Sequence, residues 1–141
     1  MCEEVKKFID ANDRFGKLTG VELIEIGVGY AKGRLVVRDE LLNSVDTVHG
    51  GAIFTLADVV FAAASNSHGK VSVAANVNIC YMNATRAGVL TAEAEEVSRG
   101  NRIAHYTVTV SNENGEKVAL FQGMAYIIRH MDMPPSKTSA H

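Results

Sequence analysis

Cysteine is scarce in this chain: of 141 residues, only Cys2 and Cys80 carry a thiol. One stands at the start of the chain and the other inside an apolar, strand-like run. Two cysteines so placed make a poor disulfide framework, and reduced thiols in a cytoplasmic protein are the expectation. Long apolar runs are missing too. The most apolar stretch, 51–65, is interrupted by Thr55 and Asp58 and falls short of the ~18 residues a membrane span needs. The first twenty residues mix Glu3, Glu4, Lys6, Lys7, Asp10 and Arg14, which does not read as a secretory signal. Neither sign of charge is in excess: the formal net charge is −2. That speaks against a general polyanion binder, so neither nucleic acid nor a membrane is expected as a partner. Any phosphate contact must come from a local group of cations.

Several motifs are also absent. No G-x-G-x-x-G or Walker pattern occurs, and no G-x-S-x-G elbow, so nucleotide-fold and serine-hydrolase readings lack their carriers. No repeat and no interdomain linker is visible. The length suits one domain with a real core. We expect that domain over residues 1–130, followed by a disordered tail over 131–141 around Pro134-Pro135 and a run of Ser, Lys and Thr.

What is present reads as follows. Val5, Phe8 and Ile9 give an amphipathic helix over 3–14, and Gly16 and Gly20 punctuate the chain after it. Strands over 21–28 and 31–37 flank a Gly29-Tyr30 turn. Residues 51–65 form a helix that is apolar on nearly every face and so must be covered all round. Four strands follow, over about 71–82, 88–98, 102–112 and 117–129, separated by turn signals such as Asn114-Gly115. Along 118–128 both faces are apolar, which predicts cover on both sides. Strands in hairpin-linked runs imply an α+β fold with an antiparallel sheet rather than βαβ units. One curved sheet wrapping one helix leaves edges, and association with a second copy is expected.

Asp58 is the only charged residue between His49 and His68. An unpaired buried carboxylate costs several kcal/mol, so it is paired and structural, or it faces a cleft and works there. His49-Gly50-Gly51 opens the helix. It is a tight turn with a cap, or a place where free first-turn N–H groups hold a carbonyl oxygen gaining negative charge. Asn43 and His49 in the preceding loop are turn residues or positioning groups. Arg99-Gly100-Asn101-Arg102 is a solvated turn or a phosphate-binding fork, which Arg86 can join. Tyr81 is a strand aromatic or flanks a substrate chain. His49, Asp58 and His68 do not suggest a metal site, because a helix sets the two histidines nearly ~30 Å apart.

Taken together, Leu42-Asn43-Ser44-Val45-Asp46-Thr47-Val48-His49-Gly50-Gly51-Ala52-Ile53-Phe54-Thr55-Leu56-Ala57-Asp58 resembles the signature of the PaaI-like hotdog thioesterases, the phenylacetate-degradation type. Ala62-Ala63-Ala64-Ser65-Asn66-Ser67, Tyr81-Met82 and Lys117 to Gly123 are similar too, and the likeness spans about residues 18–129. It implies a hotdog fold, a long helix wrapped by a curved antiparallel sheet. It implies a homodimer pairing into a homotetramer, with active sites at the dimer interface. The substrate would be an acyl-CoA, with an aryl-acetyl or medium-chain acyl group, and no cofactor is called for. Asp58 matches the catalytic carboxylate, as nucleophile or as general base on water. Gly50 matches the glycine whose N–H polarises the thioester carbonyl. Asn43 and His49 match loop residues that position the reacting groups, from the subunit opposite to Asp58. The turn Arg99, Gly100, Asn101, Arg102 matches a region contacting the CoA nucleotide, and Tyr81 would flank the pantetheine or acyl chain. Some relatives place a Ser or Thr on the strand after the helix to orient water. Here that position is Ala74, with Ser72 and Asn76 nearby. Two rivals remain: a hotdog enoyl-CoA hydratase, which needs a histidine that the helix body lacks, and a non-catalytic acyl-CoA-binding module.

Overall fold

In the N-terminal helix α1 (Cys2–Asn12), Val5 and Ile9 lie one turn apart and are its buried residues. The helix expected over 3–14 is in fact broken. Asp13 leaves helical geometry at φ −79° and ψ 88°, and its carboxylate accepts from Gly16 N–H, starting a second helix, α2 (Arg14–Thr19). An acidic side chain serving as an N-cap competes with helix continuation, and spacing alone does not register that. The computed structural model describes residues 1–135. After the two helices come β1 (Glu22–Gly27), β2 (Tyr30–Val36), a 3₁₀ turn (Asp39–Leu41), the long helix α3 (Gly50–Asn66), β3 (Lys70–Tyr81), β4 (Val89–Arg99), β5 (Ile103–Ser111) and β6 (Lys117–Asp132).

Alternation sets the inward face of the sheet. Leu90, Ala92 and Ala94 of β4 and Ala104, Tyr106, Val108 and Val110 of β5 are buried, while the residues between them turn outward. The six strands form one antiparallel sheet in the order β1-β2-β4-β5-β6-β3. It wraps α3, as the sequence predicts for an α+β hotdog. Phe61 of α3 stacks edge-on to Tyr106 at 5.6 Å between centroids and lies 5.5 Å from Phe121. Gly123 makes that approach possible, since a Cβ there would sit 2.5 Å from the Phe61 ring.

Two features position the site. The sheet ends on β3, twelve residues long, with one side unpaired. And α3 is not covered all round. Gly51 is exposed and Phe54, Asp58 and Ala62 are half-buried, a stripe at helical spacing left open within one chain. Strand β6 likewise departs from the expected cover on both faces: Gln122 and Tyr126 are exposed on its outer side, and Leu120, Met124 and Ile128 are half-buried. The strand runs on to Asp132, and Met133 N–H donates to Gly69 O at 2.9 Å. Residues 136–141 of the expected tail lie outside the described residues.

Candidate active site

The loop ahead of α3 is tied by its own polar groups. Asn43 Oδ1 accepts from Val45 N at 3.0 Å and Thr47 N at 3.1 Å, and its Nδ2 donates to Thr47 Oγ1 at 2.8 Å. Val48 N–H reaches Thr85 O and His49 N–H reaches Leu41 O, each at 2.8 Å. Asn43 thereby shapes the loop with its Oδ1 and one of its two Nδ2–H donors.

His49 is the N-cap of α3. Its Nδ1 accepts from Gly51 N at 2.8 Å, so the ring proton sits on Nε2. One of the orphan N–H groups of the first turn is thus satisfied. The Gly50 N–H has no acceptor among the described residues. It stands free at the positive end of the helix dipole, the arrangement that suits an oxygen gaining negative charge. Tyr81, at the end of β3, donates its hydroxyl to Gly50 O at 3.0 Å. A Cβ at Gly50 would lie 3.2 Å from the Tyr81 ring. Strand β3 and the helix start thereby meet at one mouth.

Asp58 lies two turns further along on the open stripe of α3. Among the described residues its carboxylate takes no hydrogen bond and no ion pair. Burial, and then the negative charge of Asp13, push its carboxyl above the usual range. A carboxylate with neither a partner nor full exposure is costly unless something else occupies the space beside it. Gly50 and Asp58 are eight residues apart on one helix, ~12 Å along its axis.

The Arg99 to Arg102 turn lies elsewhere. Through the pairings Arg99↔Ala104, Ala104↔Ala125 and Ala125↔Ala74, it sits at the other end of the sheet from Tyr81. The separation along β3 is seven residues, ~23 Å. Gly100 N–H closes the turn on Ile103 O at 2.8 Å, and Gly100 and Asn101 are exposed. Arg99 turns inward, beside Tyr106 and Glu96. Glu96 joins His68 Nε2 at 2.8 Å and the Tyr106 hydroxyl at 2.6 Å. Burial opposes ionisation of Glu96, but the donors from Tyr106 and His68 and the charge of Arg99 outweigh it and hold the carboxyl low. Arg102 points out and shares a 350 Å³ cavity with Arg129 and His130, two partners that the sequence reading missed because they sit on a different strand.

Ser72 faces inward and is buried, its N–H bonded to Asn66 Oδ1 at 2.8 Å. Asn76 follows an irregularity in the β3–β6 register and lines a cavity on the outer face with Asn78 and Gln122. Neither side chain forms a hydrogen bond with Asp58. Among the described residues no group of His, Cys, Asp or Glu is arranged to hold a metal ion, and no helix is long and apolar enough to cross a membrane.

A free helix-terminal N–H can hold an oxygen gaining charge, and an unpartnered carboxylate can act as base or nucleophile. Residues 46–119, which include both groups, match the family model of the thioesterase superfamily. A candidate esterase of Archaeoglobus fulgidus is 44% identical over 137 residues, 96% of this chain and 88% of that protein. The acyl-coenzyme A thioesterase PaaI of Escherichia coli is 35% identical over 118 residues, 83% of this chain and 84% of its own. The structure of the E. coli PaaI protein from the phenylacetic acid degradation operon superposes with a TM-score of 0.87 at 32% identity, covering 90% of this chain and 93% of that one. A hypothetical thioesterase of Streptococcus pneumoniae, solved with coenzyme A, superposes with a TM-score of 0.73 at 26% identity, covering 77% and 85%. This chain belongs to the thioesterase superfamily, as a PaaI-like member with the hotdog fold.

Proposed function

We propose that this protein hydrolyses acyl-CoA thioesters at sites shared by two copies of the chain. The observation that carries this is the spacing on α3. An oxyanion donor and an attacking or proton-accepting carboxylate must each come within ~3 Å of one carbonyl group. Gly50 and Asp58 of one chain lie ~12 Å apart on the helix axis and cannot both reach it. Gly50 N–H of one subunit and Asp58 of the partner subunit can, if the unpaired edge of β3 joins a second β3 and brings the open stripes of two helices together. The exposed Val73 and Tyr81 on β3, with exposed Met82 just beyond it, support that edge as the contact.

In this site the thioester oxygen accepts from Gly50 N–H, and Asp58 acts in one of two ways. As a base, it takes a proton from water, which adds to the carbonyl carbon; the tetrahedral adduct expels CoA thiolate, and the proton passes to sulfur. As a nucleophile, it forms a mixed anhydride with loss of CoA, which water then opens. His49 and Asn43 shape the loop that aims the donor. Arg102, joined by Arg129 and His130, offers the forked donors that the CoA phosphates need. Pairing two β3 strands antiparallel brings this cationic end of one chain toward the Tyr81 mouth of the other. The outer sheet face, with half-buried Leu120, Met124 and Ile128, suits a second dimer and so a homotetramer, working in the cytoplasm. The acyl group is an aryl-acetyl or medium-chain group, lying along the apolar stripe of α3. A panel of acyl-CoA esters scored by kcat/KM identifies it.

The direct test is Asp58→Asn, assayed for release of free CoA thiol. Turnover falls by on the order of 10² or more, while the acyl-CoA is still bound. Undiminished turnover contradicts the assignment. Binding without thiol release by the unaltered protein would make it an acyl-CoA-binding module.

A further inference from the structure

The N-terminal helices lie outside the segment 46–119 that matches the family, yet they reach the middle of α3. Where α2 meets α3, Gly16 has no side chain to separate them. A Cβ at Gly16 would lie 2.9 Å from Asp13 Oδ2 and 3.1 Å from Val59 Cγ2. The Asp13 carboxylate and the helix turn carrying Asp58 and Val59 therefore close on the same point. Asp13 is held there by its own cap bond, Oδ1 to Gly16 N at 2.9 Å, and it forms no ion pair among the described residues.

We propose that Asp13 is a positioning residue that acts through Asp58: its like charge, seated against that turn of α3, helps Asp58 take up the proton of the attacking water. The inference rests on Asp58 being the catalytic carboxylate. The other charges on this face are few. Asp10, Lys17 and Glu22 line the same 290 Å³ groove beside Val59. Asp10 is paired with Lys6 at 2.8 Å and Glu22 with Arg34 at 3.2 Å, so each has a cation beside it. α3 itself carries no other charged residue between His49 and His68, and β2 and β4, which pack against it, bury apolar residues such as Leu35 and Leu90. Glu96 and Arg99 belong to the His68 end. Asp13 is the carboxylate left unpaired, and its field adds to the burial of Asp58 in favouring the protonated form. A base raised toward working pH is a better proton acceptor.

The experiment is the pH profile of kcat/KM for the unaltered protein and for Asp13→Asn, Asp13→Ser, Asp13→Glu and Glu22→Gln. Asn and Ser keep a capping oxygen, so α2 keeps its start. The acid limb is expected to move down by about half a pH unit or more in Asp13→Asn and Asp13→Ser. It should stay near its original position in Asp13→Glu and Glu22→Gln. An unmoved limb in either neutral variant that retains activity overturns the inference. If Asp58→Asn keeps full turnover, the catalytic reading fails instead, and the two failures are told apart by that one variant.

Discussion

Asp58 carries a consequence for stability that separates work from structure. Its folded carboxyl titrates above the usual range, because burial and Asp13 disfavour the charge. The fold therefore holds this proton more tightly than the unfolded chain does. Below the ordinary carboxylate range both states are protonated and nothing is lost. Stability is lost as pH rises from the ordinary carboxylate range through the raised folded value. Asp58→Asn is thus expected to raise the urea midpoint at neutral pH while it removes activity. A structural aspartate with satisfied partners behaves in the opposite way, since an amide loses its bonds. Composition alone was enough to single out this residue: one charge in a long apolar segment needs an explanation. Other residues were less legible. Asn43 reads as a turn residue or a positioning group, and only the folded structure shows its side chain bonded to Val45 and Thr47. Asp13 was not singled out at all, because a helical pattern written in apolar positions runs through it unchanged.

At the scale of elements, the strands were readable because their burial alternates with a period of two, and α3 because its long apolar segment is bounded by turn signals. The boundary between α1 and α2 was not, since it depends on one cap and one non-helical ψ. Nor was the seat of α3 in the sheet, which depends on where small residues fall opposite large ones. Gly123 lies against Phe61, whose ring also meets Tyr106 and Phe121. Gly123→Ala forces a methyl into that contact. The expected loss is about 1–3 kcal/mol, the usual cost of overpacking a tight core. Urea unfolding measures it, and an unchanged midpoint would mean that the sheet and helix give way freely there. The end of α3 is closed by a different device, Glu96 joining His68 and Tyr106 from two strands. That network pins the far end of the helix, leaving the Gly50 mouth and the Asp58 stripe as the open parts.

For the whole molecule, the site proposed above needs two chains. A free donor, an unpartnered carboxylate and a cationic turn all exist, but at three heights along one sheet, and β3 ends that sheet without a neighbour. The sequence could place the first two and predict that a partner is needed. It could not show that the face left open is the stripe of Gly51, Phe54, Asp58 and Ala62. The most direct measurement mixes two dead variants. Gly50→Pro removes the donor: proline suits the first helical position, His49 before it is already extended at ψ 135°, and the Tyr81 ring, 3.2 Å from the added Cβ, has to shift slightly. Asp58→Asn removes the carboxylate. With random pairing, half the dimers are mixed, and each mixed dimer has one site with both groups intact. Co-refolding equal amounts should therefore restore about a quarter of the unaltered activity. Activity remaining at the level of the two parents would contradict a site shared between subunits.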